Sequence, residues 1–264
     1  MAVFITGASS GIGRALALEY ALQGHTLGLV ARRGDRLGEM VARLPGSGHK
    51  AYPVDVTDRP ALHAAARQFI DEVGQVDIVI ASAGVSAGTL TETGEDFEIF
   101  RDIFIINVMA MMATFEPFIP VMKSHKCGTL VGIASVAGVR GLPGAGAYSA
   151  SKSAVKTYCE SLRVELAGTG VDVVTVAPGY VESEMTAHNP YSMPFLLSAD
   201  EFAKRCARAI GNRKRYAVIP WQMAIVSRLM AVLPDWVYDR LARNAPRKPR
   251  LSAAVKNFSD KVRK

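Results

Sequence analysis

Seven strand-length apolar runs, each separated from the next by longer intervening sequence, constrain this chain more than any other feature it has. The runs cover residues 2–6, 26–31, 51–54, 77–82, 129–135, 171–177 and 216–219. Between them lie helical patterns at 11–23, 35–44, 60–73, 96–106, 108–124 and 148–167. Such alternation builds βαβ units and hence a parallel sheet. Several runs are almost continuously apolar, as strands covered on both faces must be. Local chemistry marks the helix starts: Asp58 precedes Pro60 as a cap, and Ser198 and Glu201 have the spacing of a capping box. The expected fold class is α/β, a single doubly wound parallel sheet of about seven strands flanked by helices.

Composition agrees with one folded body. The chain has 264 residues, 49% hydrophobic and 21% charged, with no internal repeat and no Pro/Gly/Ser linker. That balance excludes a disordered or fibrous protein. Residues 2–6 read as a structural strand, so no secretory leader is expected. Cys127, Cys159 and Cys206 are odd in number and far apart. They read as small core residues in a reducing, cytoplasmic setting, without a disulfide framework or a zinc knuckle.

Charge divides the sequence unevenly. Before residue 201 there are 15 Lys and Arg against 20 Asp and Glu; from 201 onward, 16 against 4. Residues 1–220 are therefore read as the main domain, and 221–264 as a basic, partly amphipathic extension packed on or beside it. Residues 221–243 are apolar but broken by Arg228, Pro234 and Asp235, too short a run to cross a membrane. Trp221 and Trp236 among these cations suit a peripheral membrane surface, while packing on the sheet or a dimer contact would leave a similar pattern. No aromatic-basic module for nucleic acid is present, so no nucleic-acid partner is expected.

The first strand runs straight into Thr6-Gly7-Ala8-Ser9-Ser10-Gly11-Ile12-Gly13, followed by a helix. Glycines at such a turn let backbone N–H groups approach a pyrophosphate, and the helix N-terminus adds about half a positive charge. The spacing is G-x3-G-x-G and not the usual G-x-G-x-x-G. Gly7, Ser9, Ser10, Gly11, Ile12 and Gly13 are thus candidate cofactor contacts in a Rossmann-type fold. The second strand ends in Ala31-Arg32-Arg33, where a carboxylate would bind a free ribose 2′-hydroxyl and a guanidinium a 2′-phosphate. Arg32 and Arg33 favour NADP(H) over NAD(H); an exposed basic turn is the plain alternative.

Tyr148-Ser149-Ala150-Ser151-Lys152 places a phenol and an ammonium at i and i+4 on one helical face. A free phenol loses its proton near pH 10. A cation about 4 Å away at an effective dielectric near 20 supplies about 4 kcal/mol, enough to bring it toward neutrality. Tyr148 is therefore expected to act as a general acid/base tuned by Lys152. Ser135 closes the fifth strand at the carboxyl edge, where open α/β sheets bind ligands, or simply caps a helix. Asn107 interrupts an apolar helical run and needs a partner there.

In this order the glycine loop, Asn107, Ser135 and Tyr148/Lys152 resemble the short-chain dehydrogenase/reductase family. The similarity continues in Ala81-Ser82-Ala83-Gly84, which stands where the family has N-N-A-G, and in Asp55-Val56, which matches its adenine-side Asp. Pro178-Gly179-Tyr180-Val181-Glu182-Ser183-Glu184-Met185-Thr186 is similar to its nicotinamide-side loop, with Ser183 in place of the usual Thr. The resemblance spans about residues 2–220. It implies a tetrad in which Tyr148 exchanges a proton, Ser135 positions a carbonyl, Lys152 holds the nicotinamide ribose, and Asn107 secures a relay water. It also implies cofactor contacts at Ser82, Ala83, Gly84, Asp55, Val56, Pro178, Gly179, Val181 and Ser183. The implied activity is NADP(H)-dependent interconversion of a ketone or aldehyde with an alcohol. A homodimer or homotetramer packed through 108–124 and 148–167 is implied as well.

The histidines, His25, His49, His63, His125 and His188, show no paired ligand spacing, so no metal site is expected. His188 reads as a solvated loop residue. Met185, Tyr191, Met193, Phe195, Leu196 and Leu197 make 180–197 either a lid over a hydrophobic substrate or plain packing on the core. Family members that reduce acyl-carrier-protein thioesters typically stop near the seventh strand. The extension here resembles reductases of lipid-like or steroid-like ketones. A 3-oxoacyl thioester reductase and a non-catalytic NADP(H)-binding or lipid-surface protein are the alternatives.

Overall fold

Alternate residues of β1 (Ala2–Thr6) serve two different cores in the computed structural model, which describes residues 1–187 and 189–250. On one face Phe4 meets Phe69 and Phe118, with ring centroids 5.6 and 4.8 Å away. On the other face Val3 and Ile5 join Leu16, Leu29 and Phe202. All five β1 residues are buried, the two-sided burial that a covered parallel sheet demands.

The remaining strands are β2 (Thr26–Val30), β3 (Lys50–Tyr52), β4 (Ile78–Ala81), β5 (Gly128–Ile133), β6 (Val171–Pro178) and β7 (Tyr216–Ile219). Together with β1 they form one sheet in the order β3-β2-β1-β4-β5-β6-β7. Every pairing is parallel. The doubly wound sheet expected from the sequence is the one observed. Strand order reverses between β1 and β4, and the crevice at their carboxyl ends is where such folds bind ligands.

Helices α1 (Gly11–Leu22), α2 (Gly34–Arg43) and α8 (Ala199–Gly211) cover one face; α3 (Arg59–Val73) and α7 (Gly146–Glu165) lie over the other. Two expected caps form. Asp58 accepts a hydrogen bond from the Ala61 amide at 3.0 Å, and Ser198 accepts one from Glu201 at 3.2 Å.

The two helices expected at 96–106 and 108–124 are broken up differently. The observed pieces are α4 (Asp96–Phe104), a wide π turn (Ile105–Met109), α5 (Ala110–Phe115) and α6 (Phe118–His125). Pro117, which has no N–H to donate, marks the break between α5 and α6. The run Asp96–His125 is 30 residues long and its most apolar 18-residue window has a mean hydropathy of 1.6, the length and composition of a membrane span. Half of that window is nevertheless buried inside the protein.

Beyond β7 come α9 (Trp221–Val232) and α10 (Asp235–Ala242). Their junction is latched to the loop that follows β5. Arg140 donates to the Leu233 carbonyl at 3.0 Å and to Asp235 at 2.9 Å, and lies 4.3 Å from the centre of the Tyr238 ring. The Tyr238 hydroxyl donates to the Gly141 carbonyl at 2.7 Å. The two helices expose Trp221, Ile225, Leu229, Val232, Trp236 and Leu241. The chain then doubles back, and Gly88 donates to the Pro249 carbonyl at 3.1 Å. His188 and the final stretch from 251 lie outside the described residues.

Candidate active site

Two glycines of the first loop are required by contact as well as by conformation. Gly7 has φ +70°, and a Cβ there would stand 2.7 Å from the Ala83 Cα. A Cβ on Gly13 would stand 2.3 Å from the Gly7 carbonyl oxygen. The loop is thereby pressed against the β4 exit at Ser82-Ala83-Gly84, and Ala83 donates to the Thr6 hydroxyl at 3.4 Å. Ser10 caps α1 without a side-chain hydrogen bond, and the first turn carries no acid. The N–H groups of Gly11, Ile12 and Gly13 therefore open the helix with its positive end toward the crevice. This backbone cradle, too tight for side chains, fits the pyrophosphate of a dinucleotide.

Around the cradle stand the other expected cofactor residues. Arg33 donates to Ser9 Oγ at 3.3 Å and lies 3.7 Å from Glu184; Arg32 lies 3.9 Å from Asp55. These pairs are partly exposed and worth little individually, so the guanidiniums can exchange them for a phosphate. Asp55 accepts from the Thr57 amide at 2.9 Å and its hydroxyl at 2.8 Å, which fixes the turn beside buried Val56. On the opposite rim, Gly179 after Pro178 donates to the Ile219 carbonyl at 2.8 Å. A Cβ on Gly11 would come within 3.3 Å of Ser183 Cβ, so this loop meets the glycine loop across the crevice.

Thr186, which the sequence places in that loop without a role, organises the rim. Its hydroxyl donates to the Val181 carbonyl at 2.7 Å and accepts from the Ser183 amide at 3.0 Å. The loop from 180 to 197 is also tied at its base, where Leu197 donates to Tyr180 and Glu182 to Leu197.

The four tetrad candidates converge where β4 and β5 end. Strand β5 stops at Ile133, two residues earlier than expected, so Ser135 stands free of the ladder. Its Oγ accepts from the Ala137 amide at 3.1 Å, the capping alternative, and it is near enough to the Tyr148 phenol to oppose part of that group's upward shift. Close packing enforces this approach, because a Cβ on Gly138 would stand 2.7 Å from the Lys152 carbonyl carbon. Lys152 Nζ donates to the Ile133 carbonyl at 2.8 Å and lies 5.8 Å from the centre of the Tyr148 ring. A Cβ on Gly84 would lie 3.2 Å from Asn107 Oδ1 and 3.5 Å from Lys152 Nζ, so glycine lets all three meet.

Burial opposes one expected role, the lowering of the Tyr148 phenol by Lys152. It pushes Tyr148 above its ordinary value, and Ser135 offsets only part of that. Burial also draws Lys152 down to about 8. The expected arithmetic counted the attraction between the two groups and omitted the cost of desolvating each. The Asn107 side chain has partners of its own. Its Nδ2 donates to the Val85 carbonyl and to Ser151 Oγ, both at 3.0 Å, and its Oδ1 accepts from the Val85 amide at 2.8 Å. Both N–H bonds are used, which leaves the acceptor oxygens of Asn107 for a relay water. Asn107, held out by the wide π turn, clamps the β4 exit loop to α7 through Ser151, whose hydroxyl donates to the Tyr148 carbonyl at 2.8 Å. Ser151 is a site residue that sequence reasoning missed.

A parallel sheet with this cradle and this polar cluster at its switch point defines a dinucleotide-binding oxidoreductase scaffold. Residues 1–192 match the family model for short chain dehydrogenases, and the chain belongs to that family. An uncharacterized oxidoreductase of Myxococcus xanthus is 40% identical over 241 residues, covering 90% of this chain and 95% of that protein. One from Mycobacterium tuberculosis is 37% identical over 246 residues, covering 91% and 96%. A short chain dehydrogenase/reductase of Burkholderia phymatum, solved in complex with NAD, superposes with a TM-score of 0.79 at 26% identity, covering 95% of this chain and 97% of that one. A 3-ketoacyl-ACP reductase of Sinorhizobium meliloti gives 0.73 at 25%, covering 83% and 97%.

Proposed function

We propose that this chain is an NADP(H)-dependent reductase converting a hydrophobic ketone or aldehyde to its alcohol. The observation that carries the reading is the meeting of Tyr148, Ser135 and Lys152 beside the glycine cradle at the β4–β5 exit. The bound dinucleotide supplies the hydride. Ser135 Oγ holds the carbonyl oxygen, and the Tyr148 hydroxyl gives that oxygen its proton. Burial keeps Tyr148 protonated at neutral pH, the form that reduction uses. Lys152 stands beside Gly84 to hold the ribose, and Asn107 positions the loop that both depend on. Following NADPH absorbance against ketones graded in chain length and ring count tests the reading, and no turnover with any of them would defeat it. A 3-oxoacyl thioester reductase, the activity named for the Sinorhizobium relative, is separated by assaying an acyl thioester beside a lipophilic ketone.

Cofactor choice rests on Arg32 and Arg33 flanking Ser9 and Asp55. Replacing both by Ala is expected to weaken NADPH at least tenfold more than NADH in fluorescence titrations, since a charge-assisted contact to phosphate is worth about 1.5–3 kcal/mol. Equal losses would contradict the assignment. The work is proposed to be done in the cytoplasm by a homodimer or homotetramer, with the exposed Phe100, Met109 and Met112 beside α7 as the contact.

The exposed apolar residues of α9 and α10 favour a second attachment. Trp221, Ile225, Leu229 and Val232 follow helical spacing on one exposed side, among Arg228, Arg240 and Arg243. Such a face suits the interface of an anionic membrane. Co-sedimentation with phosphatidylserine vesicles should fall severalfold in a Trp221→Ser/Leu229→Ser variant, and equal pelleting of both proteins would refute the attachment.

A further inference from the structure

The returning C-terminal segment brings one unexplained cation to the wall of the site. Lys248 Nζ donates to Ser86 Oγ at 2.9 Å and is partly enclosed. Ser86 lies two residues beyond Gly84, no more than about 7 Å of extended chain from the residue that abuts Lys152. Between them Val85 is clamped by Asn107. On the far side Thr89 donates to the Gly144 carbonyl at 2.9 Å, and Gly144 lies just ahead of the helix that carries Tyr148. Ser86, and Lys248 with it, therefore lies on the segment that runs from the contact with Lys152 to the N-terminal end of the helix that carries Tyr148.

Two residues further on Arg250 is matched by a carboxylate, and Lys248 is not. Arg250 forms a two-pronged pair with Asp96 at 2.8 and 3.0 Å, and Arg140 has Asp235. Among the described residues no carboxylate pairs with Lys248; a neutral serine hydroxyl is its partner. Enclosing an ammonium without an anion is costly, and burial draws this one down to about 8. A latch for the segment would not need the charge, since Arg250 and the Gly88–Pro249 hydrogen bond already fix the chain immediately after it.

We propose that Lys248 is a substrate-anchoring residue which binds the carboxylate of an oxo acid while the ketone of the same molecule lies at Tyr148 and Ser135. One ammonium matches one monoanion. The short separation from Lys152 places both groups within a single small molecule whose apolar body faces the 180–197 loop. This deepens the reductase reading and rests on it.

Two measurements on the full-length protein decide the matter. In the first, oxo acids differing in the number of carbons between ketone and carboxylate are each assayed beside their methyl esters. The wild type is expected to favour the acid at least tenfold in kcat/KM at the best spacing. Lys248→Gln should abolish that preference, and Lys248→Arg should restore much of it. The second needs no turnover: calorimetry with octanoate and octanamide should show octanoate binding the wild type at least tenfold tighter, with the difference gone in Lys248→Gln. Failure to reduce any carbonyl while octanoate still depends on Lys248 would sink the reductase reading and leave the anion site standing. Absence of an acid preference in the wild type, its survival in Lys248→Gln, or equal losses for acid and ester would overturn the proposal.

Discussion

A Tyr148→Phe protein is expected to bind NADPH as the parent does and to reduce ketone about 10²–10⁴-fold more slowly, the usual worth of a positioned proton donor. The substitution removes one oxygen. It leaves the ring packed over Lys152 and the clamp through Ser151 and Asn107 intact, so cofactor affinity and melting temperature should hold. The direction of the Tyr148 shift adds a pH signature. Reduction needs the phenol, and burial raises the pH at which the phenol is lost. Reduction should therefore run level through neutrality and fall only in the alkaline range, whereas alcohol oxidation, which needs the phenolate, should climb with pH. Stopped-flow or steady-state rates in both directions check this. Retention of most activity by Tyr148→Phe would remove the proposed chemistry altogether.

Gly13→Ala should damage the molecule out of proportion to its single methyl group. The new Cβ would meet the Gly7 carbonyl at 2.3 Å, and both atoms belong to backbone that cannot step aside. Forced overpacking of this kind costs about 3 kcal/mol, which in a protein of this size lowers Tm by about 6–12 °C. Because the displaced loop is the pyrophosphate cradle, NADPH affinity should fall with it, at least tenfold. Gly38→Ala is the contrast: it sits in α2 with open space around its would-be Cβ, and a helical alanine there should hold or slightly raise Tm. Differential scanning calorimetry and NADPH titration on both variants read the difference, and matching behaviour of the two would show that the contact at Gly13 does not matter.

Local signals made most of the fold legible. The first strand and its glycine loop are contiguous, so their geometry is written in neighbouring residues. The Tyr148/Lys152 spacing needed only a helix to acquire its meaning. The break at Pro117 was legible too, although an apolar run that continues past it reads as one helix. What escaped was whatever depends on residues far apart in the chain. Asn107 announced itself as a misplaced amide, but its partner Ser151 is 44 positions away. Lys248 and Ser86 are separated by 162 positions, and Arg140 and Asp235 by 95. No periodicity encodes such pairs. The burial that opposes Lys152 at Tyr148 was not legible because enclosure by the surrounding chain is a property of the assembled fold, whereas the i and i+4 neighbour is a property of sequence.

The route of the C-terminal segment also bears on how the molecule comes into being. All seven strands have been synthesised once Ile219 leaves the ribosome, so the nascent chain already holds every partner its sheet requires. Lys248 and Arg250 emerge later, and they fasten to Ser86 and Asp96, which were made long before them. Translation that stops between those two points should leave a body that still grips dinucleotide but has an unfinished, open flank.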